Sequence, residues 1–490
     1  MSTSKVGIIA RIESVLLLLL SVSMTPSLLI AIFNNETKSA YGFGIMILFC
    51  AAVGIIIRFC FKLSRYTLKN RDGFLIVSLS WILVSLLGAF PFWISGSISS
   101  IVDAIFESCS GFSTTGASIL TDIEVLPKSI LFWRSFIQWL GGMGILVFLT
   151  AIAPAFAMGG ESLYDAETST PKQNKLTSHF SDYSKQIYII YVCLTIVETL
   201  LLKIAGLSLF DALTHTFGTV STSGFSPYNA SIGQFDNIFV KILTIAFMFI
   251  AALNINLYFL AKKRGIKEIF KDEESRFFCT ITLGAAIVVS LFNFIFEDFK
   301  DLGDNLIDGF FQVVSIITTT GYMTDDYNLW PTFTKFILLA LFFIGGCSSS
   351  TAGCIKCMRI YGGLKLIIRG IYSRIHPNII SPVTFNHKEM SNDVAIKIAN
   401  FIFTYMILIG FGTIVLSTNG FDFMTNFSAA ASCLGNIGPG FNLAGPALNY
   451  SIFNDFSKLI CSFLMVTGRL ELYTILVLFS RNYWNPNKLR

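Results

Sequence analysis

Three runs of hydroxyl side chains end in a glycine: Ser113-Thr114-Thr115-Gly116, Ser221-Thr222-Ser223-Gly224 and Thr318-Thr319-Thr320-Gly321. A related stretch, Gly435-Asn436-Ile437-Gly438, stands near the C-terminal end. In the first three an aspartate (Asp103, Asp211, Asp308) lies thirteen residues before the glycine. In the fourth, Asp422 lies sixteen before Gly438 and Thr425 holds the thirteenth place, so spacing alone selects Gly435. What such stretches offer is backbone chemistry. If they share an axis, their carbonyls can ring a path and replace a cation's hydration shell. Glycine fits because one residue in each stretch must turn its carbonyl inward at dihedrals that other residues resist.

The elements around these stretches must hold them at membrane depth. Hydrophobic residues make up 53% of the 490-residue chain, charged residues only 13%, and Phe alone counts 48. Soluble domains carry about 25% charged residues, so the composition points to a polytopic membrane protein. It argues against a soluble enzyme, a nucleic-acid binder or a secreted disulfide scaffold. A spanning helix needs roughly 20 apolar residues. Ten candidates meet that test: 12–33, 41–61, 74–96, 131–157, 187–207, 236–261, 277–297, 334–372, 394–417 and 455–480. The eighth is too long and is broken internally. The hydroxyl–glycine stretches follow spans three, five, seven and nine. Each aspartate reads as the N-cap of a helix of two to three turns entering from outside. That helix points its negative end at a shared cavity. The unit of span, re-entrant helix, extended stretch and span thus recurs four times. Non-helical backbone at this depth survives only where it is buried in protein or lines a wet path.

Lys and Arg fall on alternate connections, around 62–71, 172–185, 262–276 and 365–397. The positive-inside rule then places both termini in the cytoplasm. The opposite connections are acidic, with Asp122, Glu124, Asp325 and Asp326. Within the eighth span the run Gly345-Gly346-Cys347-Ser348-Ser349-Ser350-Thr351-Ala352-Gly353 reads either as a close helix contact or as a break. Arg469 sits inside the last span, where a charge is costly and usually faces a polar cavity. Glu198 and Lys203 read as packing or snorkelling residues. Cys354 and Cys357 form a C-x-x-C with no second pair, and the ten cysteines show no paired framework. No H-E-x-x-H, P-loop or G-x-G-x-x-G is present. A membrane-embedded enzyme therefore lacks its constellation, and nucleotide control would need another subunit.

These residues resemble the Trk/Ktr/HKT superfamily of potassium and sodium transporters, and within it the bacterial TrkH family. Besides the four stretches, the resemblance is carried by Trp139-Leu140-Gly141-Gly142-Met143-Gly144, by Met158-Gly159-Gly160-Glu161 with Ala166-Glu167-Thr168, by the run from Gly345, and by Leu434 through Gly440. It implies an all-α fold of four pseudo-symmetric M1–P–M2 repeats around one pore. Two extra N-terminal helices would occupy 1–72 and the repeats 73–157, 158–262, 263–374 and 375–490. It implies a potassium filter at Thr114, Thr115, Gly116, Thr222, Ser223, Gly224, Thr319, Thr320, Gly321, Asn436, Ile437 and Gly438, which chooses Gly438 over Gly435. A serine at Gly116 would go with sodium permeation in this superfamily, so glycine there favours potassium. The resemblance also implies a gate at Gly345, Gly346, Ser348, Ser349, Ser350, Thr351 and Gly353, with Arg469 as an electrostatic barrier. The expected partners are a second copy of the chain and a cytoplasmic TrkA-type nucleotide-binding regulator, docked on the basic loops 262–276 and 356–374. Potassium is the substrate, in the bacterial cytoplasmic membrane, and the chain itself needs no cofactor. An ion-coupled (H+ or Na+) potassium symporter of the same fold and a sodium-permeable member are the competing readings.

Overall fold

The computed structural model describes residues 3–61, 70–144, 180–296, 302–376, 382–386 and 388–485. The 158–168 motif and the basic residues Lys172 and Lys175 lie outside them. The chain is helical almost throughout; the described residues hold one small hairpin, Thr384–Phe385 with Lys388–Glu389. The helices α1 (Thr3–Phe33) and α2 (Thr37–Cys60) form an antiparallel pair. Gly54 lets α2 approach α1, since a methyl there would stand 3.0 Å from the Ser14 carbonyl. Glu36, at the turn between them, accepts from the backbone N–H groups of Lys128 (2.8 Å) and Ser129 (3.1 Å). It thereby anchors the pair to the free N–H groups of a helix start.

A common order then recurs four times. A long helix is followed by a short one and then by a second long helix that stops early. The long first helices are α3 (Asn70–Ile94), α6 (Phe180–Ile204), α11 (Glu273–Phe296) and α15 (Asn392–Leu416). The short ones are α4 (Ile101–Phe112), α7 (Leu209–Ser221), α12 (Leu302–Ile317) and α16 (Phe423–Gly435). The second helices begin as α5 (Lys128–Gly142), α8 (Ile238–Ala252), α13 (Thr332–Leu341) and α17 (Asp455–Arg469). They resume, where described, as α9 (Ile255–Arg264), α14 (Cys357–Ile375) and α18 (Tyr473–Leu476). The basic connection holds α10 (Lys267–Lys271), and α19 (Arg481–Trp484) ends the described chain. Hydrophobicity is arranged for lipid. Phe33, Phe59 and Ile204 are more than 80% exposed, while the hydroxyls of Thr114, Ser221 and Thr319 are fully buried.

The spans differ from expectation in two places. Six described helices are long and apolar enough to cross a membrane, and two bent pairs could each count as one more. The sixth and tenth spans are not straight. The chain turns by 91° between α8 and α9 and by 110° between α17 and α18. At the first bend Asn254 starts a new helix by accepting from the Asn256 N–H. At the second, Glu471 and Leu472 both take positive φ (56° and 61°), which no helix continues. The expected break in the eighth span runs from Phe342 to Lys356. The fourth span, read as 131–157, is described only to Gly144, with α5 ending at Gly142.

The aspartates also play other parts than the expected caps. Ser100 caps α4 and Ser208 caps α7, accepting from the N–H groups of Asp103 and Asp211. Asp308 lies inside α12, and only Asp422 caps its own helix, α16. Counted from the cap, the glycine follows at sixteen in three repeats (100 to 116, 208 to 224, 422 to 438). The thirteen-residue spacing thus ran from aspartates inside the helices, not from their caps, whereas Asp422 is itself a cap, which is why it pointed to Gly435. Two of the aspartates instead cross to the second helix of the preceding repeat. Lys458 pairs with Asp103 at 2.6 Å, and Lys241 with Asp308 at 3.5 Å. Lys241, Lys335 and Lys458 are each the fourth residue of α8, α13 and α17.

Candidate functional site

The four short helices end alike. Thr114, Thr222, Thr319 and Asn436 take left-handed dihedrals, with φ of 59°, 54°, 58° and 54°. The next residue's N–H then reaches back to a helical carbonyl. The bonds are Thr115 to Ser110 (2.9 Å), Ser223 to Gly218 (2.8 Å), Thr320 to Ser315 (2.8 Å) and Ile437 to Ser432 (3.0 Å). This is the six-to-one closure of a Schellman turn, made here without glycine at the left-handed place. Left-handed threonine is a true outlier, costing about 1–3 kcal/mol per residue. It persists three times because its surroundings over-determine it, and the fourth place is held by Asn436, which tolerates the left-handed region more readily. Gly116, Gly321 and Gly438, two residues on, return to positive φ (83°, 80° and 105°), whereas Gly224 does not. Positive and negative φ therefore alternate along three of the stretches.

The four glycines meet. A methyl on Gly116 would stand 2.7 Å from the Gly224 nitrogen, and one on Gly224 2.5 Å from the Thr320 carbonyl. A methyl on Gly321 would strike the Ile437 carbonyl, and one on Gly438 would stand 2.7 Å from the Thr115 carbonyl. The order 116, 224, 321, 438 and back to 116 is a closed ring of backbone. Gly435 lies instead at the end of α16, against Tyr405. Outer clamps hold the ring. The Tyr450 hydroxyl donates to the Gly438 carbonyl (2.9 Å), and its N–H donates to Ser118 (2.8 Å). Asn436 Nδ2 donates to Thr115 Oγ1 (2.9 Å) and to the Met465 carbonyl (2.8 Å).

Two of the second helices, α5 and α17, stop against the ends of the short helices α4 and α16. A methyl on Gly141 would collide with the Phe112 carbonyl, and one on Gly468 with that of Leu434. The 345–356 segment lies among the same groups. Its Gly353 N–H donates to Thr319 Oγ1 at 2.7 Å, tying it to the third stretch. Gly345 N–H closes the segment on the Ile355 carbonyl (2.9 Å). Gly346 packs on the Ala252 carbonyl, which also accepts from Cys347 N–H (2.9 Å). Ser348 donates its N–H (2.6 Å) and hydroxyl (3.0 Å) to Glu274, which also takes the Met358 N–H (3.0 Å). Ser349 has φ of 57°, and Ser350 Oγ donates to the Cys347 carbonyl (2.6 Å). The Thr351 hydroxyl lies within 3.2–3.3 Å of the Val220 and Ala251 carbonyls. Arg469 is the bridge: it donates to the carbonyls of Thr351 (2.7 Å), Gly141 (2.7 Å) and Gly142 (2.5 Å). One side chain of the last repeat thereby joins the ends of the first and third repeats' second helices.

Cys354 and Cys357 use their thiols as backbone pins, Sγ to the Phe342 carbonyl (2.9 Å) and Sγ to the Gly345 carbonyl (3.1 Å). Among the described residues no His, Cys, Asp and Glu cluster could hold a metal ion. Glu198 is fully buried on α6 rather than snorkelling. Sequence reasoning missed Glu274, which holds the 345–356 segment, and the buried Glu107–Arg134 pair. Their signal was a charge inside or beside an apolar run, the same signal that marked Arg469.

Residues 41–486 match the TrkH family, described as cation transport proteins. The Trk system potassium uptake protein TrkG of Escherichia coli K12 is 36% identical over 489 residues, covering 99% of this chain and all of that one. The Trk system potassium uptake protein TrkH of Halomonas elongata is 35% identical, covering 97% and 98%. The crystal structure of the potassium transporter TrkH from Vibrio parahaemolyticus superposes with a TM-score of 0.88 at 33% identity, over 99% of this chain and 100% of that one. These relatives are membrane transporters, not enzymes. The chain belongs to the TrkH family of cation transport proteins.

Proposed function

We propose that this chain takes up potassium through the ring of glycine turns, acting as a filter. The observation that carries this is closure of the ring: Gly116, Gly224, Gly321 and Gly438 touch in sequence order. Partly dehydrated potassium passes in single file along carbonyls of 114–116, 222–224, 319–321 and 436–438. An inward-negative potential contributes about 2.3 kcal/mol per charge per 100 mV, enough to drive uptake without a coupled ion. The segment 345–353 closes the inner side, with Arg469 as its electrostatic latch. The repeats divide at 72, 157, 262 and 374. Both termini face the cytoplasm of a bacterial cell, across its inner membrane. The working unit is a homodimer with one pore per chain. A cytoplasmic TrkA-type regulator docks on the basic segments, where Lys263, Lys267 and Lys271 stand beside α11, whose Glu274 holds the gate segment.

The test is the reversal potential of the purified chain in a planar bilayer, potassium on one side and sodium on the other. A value near the potassium limit supports the filter. A current reversing near zero refutes potassium selection. If current appears only after the regulator is added, control by that subunit is supported. Uptake without current that needs a proton or sodium gradient would replace the channel mechanism by coupled symport.

A further inference from the structure

Behind each filter stretch, one side chain of the short helix grips its own outgoing strand. The residues nine before the glycines are Glu107, His215, Gln312 and Ala429. Glu107 accepts from the Ser118 hydroxyl (3.0 and 3.1 Å) and the Ile119 N–H (3.1 Å). His215 Nε2 bonds the Ser226 hydroxyl (3.0 Å), and Gln312 Nε2 donates to the Asp325 carbonyl (3.1 Å). In the fourth repeat Ser428 takes over from Ala429, accepting from the Phe441 N–H (2.8 Å). The same bracket is thus built from four different side chains, and only the first is part of an ion pair.

That pair also reaches across repeats. Arg134, on α5, donates Nε to Glu107 at 2.5 Å and Nη1 to the Ser226 carbonyl at 2.8 Å. Its guanidinium lies 3.8 Å over the Phe225 ring. Glu107 is fully buried and Arg134 is 2% exposed. Ser118 and Ser226 each stand two residues after their glycine, so the pair ties the outgoing strands of repeats one and two at the same level. Gly116 and Gly224 are neighbours in the ring below. Low-dielectric surroundings make such a satisfied network stiff. Charge-assisted bonds are about twice as strong as neutral ones.

We infer that Glu107 and Arg134 are positioning residues for ion selection, fixing the spacing of filter stretches one and two more rigidly than the neutral brackets fix three and four. The inference rests on the potassium-filter reading above. Three variants test it: Glu107→Gln, Arg134→Lys and Ser118→Ala. The readout is the potassium-to-sodium permeability ratio from the reversal potential, with size-exclusion elution as the check on assembly. A lost charged hydrogen bond predicts a fall of about fivefold or more in the ratio for Glu107→Gln. Arg134→Lys keeps the charge but cannot bond Glu107 and Ser226 together, and is expected to lose selectivity too. Ser118→Ala removes one donor with little risk to folding and predicts a smaller fall in the same direction. It decides the matter if the charged-pair variants do not assemble. Wild-type ratios in Glu107→Gln and Ser118→Ala would overturn the inference. A wild-type chain without potassium preference would overturn both the inference and the filter it rests on.

Discussion

Arg469 offers the sharpest perturbation, because three of its hydrogen bonds divide into two kinds. Two go to Gly141 and Gly142, at the end of α5, and one goes to Thr351 in the 345–353 segment. Of these three, the last must break when that segment moves away from its neighbours. A hydrogen bond from a charged donor contributes about 1.5–3 kcal/mol. Replacing Arg469 by Gln therefore eases displacement of the segment by about 10- to 150-fold in the open-to-closed ratio. It also removes a positive charge from the path. The two effects separate in Arg469→Lys, which keeps the charge but cannot reach three carbonyls at once. Potassium flux into proteoliposomes at matched protein content reads the result. If the bonds dominate, both variants conduct faster than wild type. If the charge dominates, only Arg469→Gln does. Fluxes within twofold of wild type in Arg469→Gln would refute the latch altogether.

Other perturbations follow from the same geometry. Gly438→Ala places a methyl 2.7 Å from the Thr115 carbonyl at a φ of 105°. Strain of about 1–3 kcal/mol and a blocked ring should abolish selective uptake, measured as failure to support growth at low potassium. Glu274→Ala leaves the Ser348 N–H and hydroxyl and the Met358 N–H without their acceptor. Basal flux should rise several-fold, and unchanged flux would separate Glu274 from the gate. Lys458→Met and Asp103→Asn each break a pair at 2.6 Å in which Lys458 is largely buried. A loss of about 1–2 kcal/mol should show as a lower melting temperature. A double-mutant cycle should find the two changes non-additive.

Much of the fold was legible because lipid imposes a simple pattern. Long apolar runs and alternating basic connections are read directly, and four hydroxyl–glycine stretches repeat visibly. The helix ends were harder. Asp103 and Asp211 look like caps, but serines three residues earlier hold that place, since a serine oxygen satisfies the same N–H groups. The bends after Ala252 and Arg469 were harder to read, because Asn254 and Glu471 are single polar residues flanked by Leu253, Ile255, Leu470 and Leu472, and the runs stay apolar on average. Arg469 was legible as a costly charge, but its three carbonyl partners come from repeats more than 100 residues away and only the fold assembles them. The Glu107–Arg134 bracket was overlooked because Arg134 counts, in sequence, as one more outer basic residue.

The ring has its seam between the first stretch and the last. Gly438 sits on Thr115, Asn436 bonds Thr115, and Tyr450 bonds Ser118, contacts spanning more than 300 residues. No partial chain ending before residue 438 can hold this arrangement. Three repeats already inserted during synthesis would carry an open-sided stretch, with Thr115 lacking its contacts to Gly438 and Asn436. Closure of the ring is therefore the last thing the chain acquires. On the proposed function, a half-made protein lacks the complete filter, and the membrane potential is spared a leak while synthesis is under way.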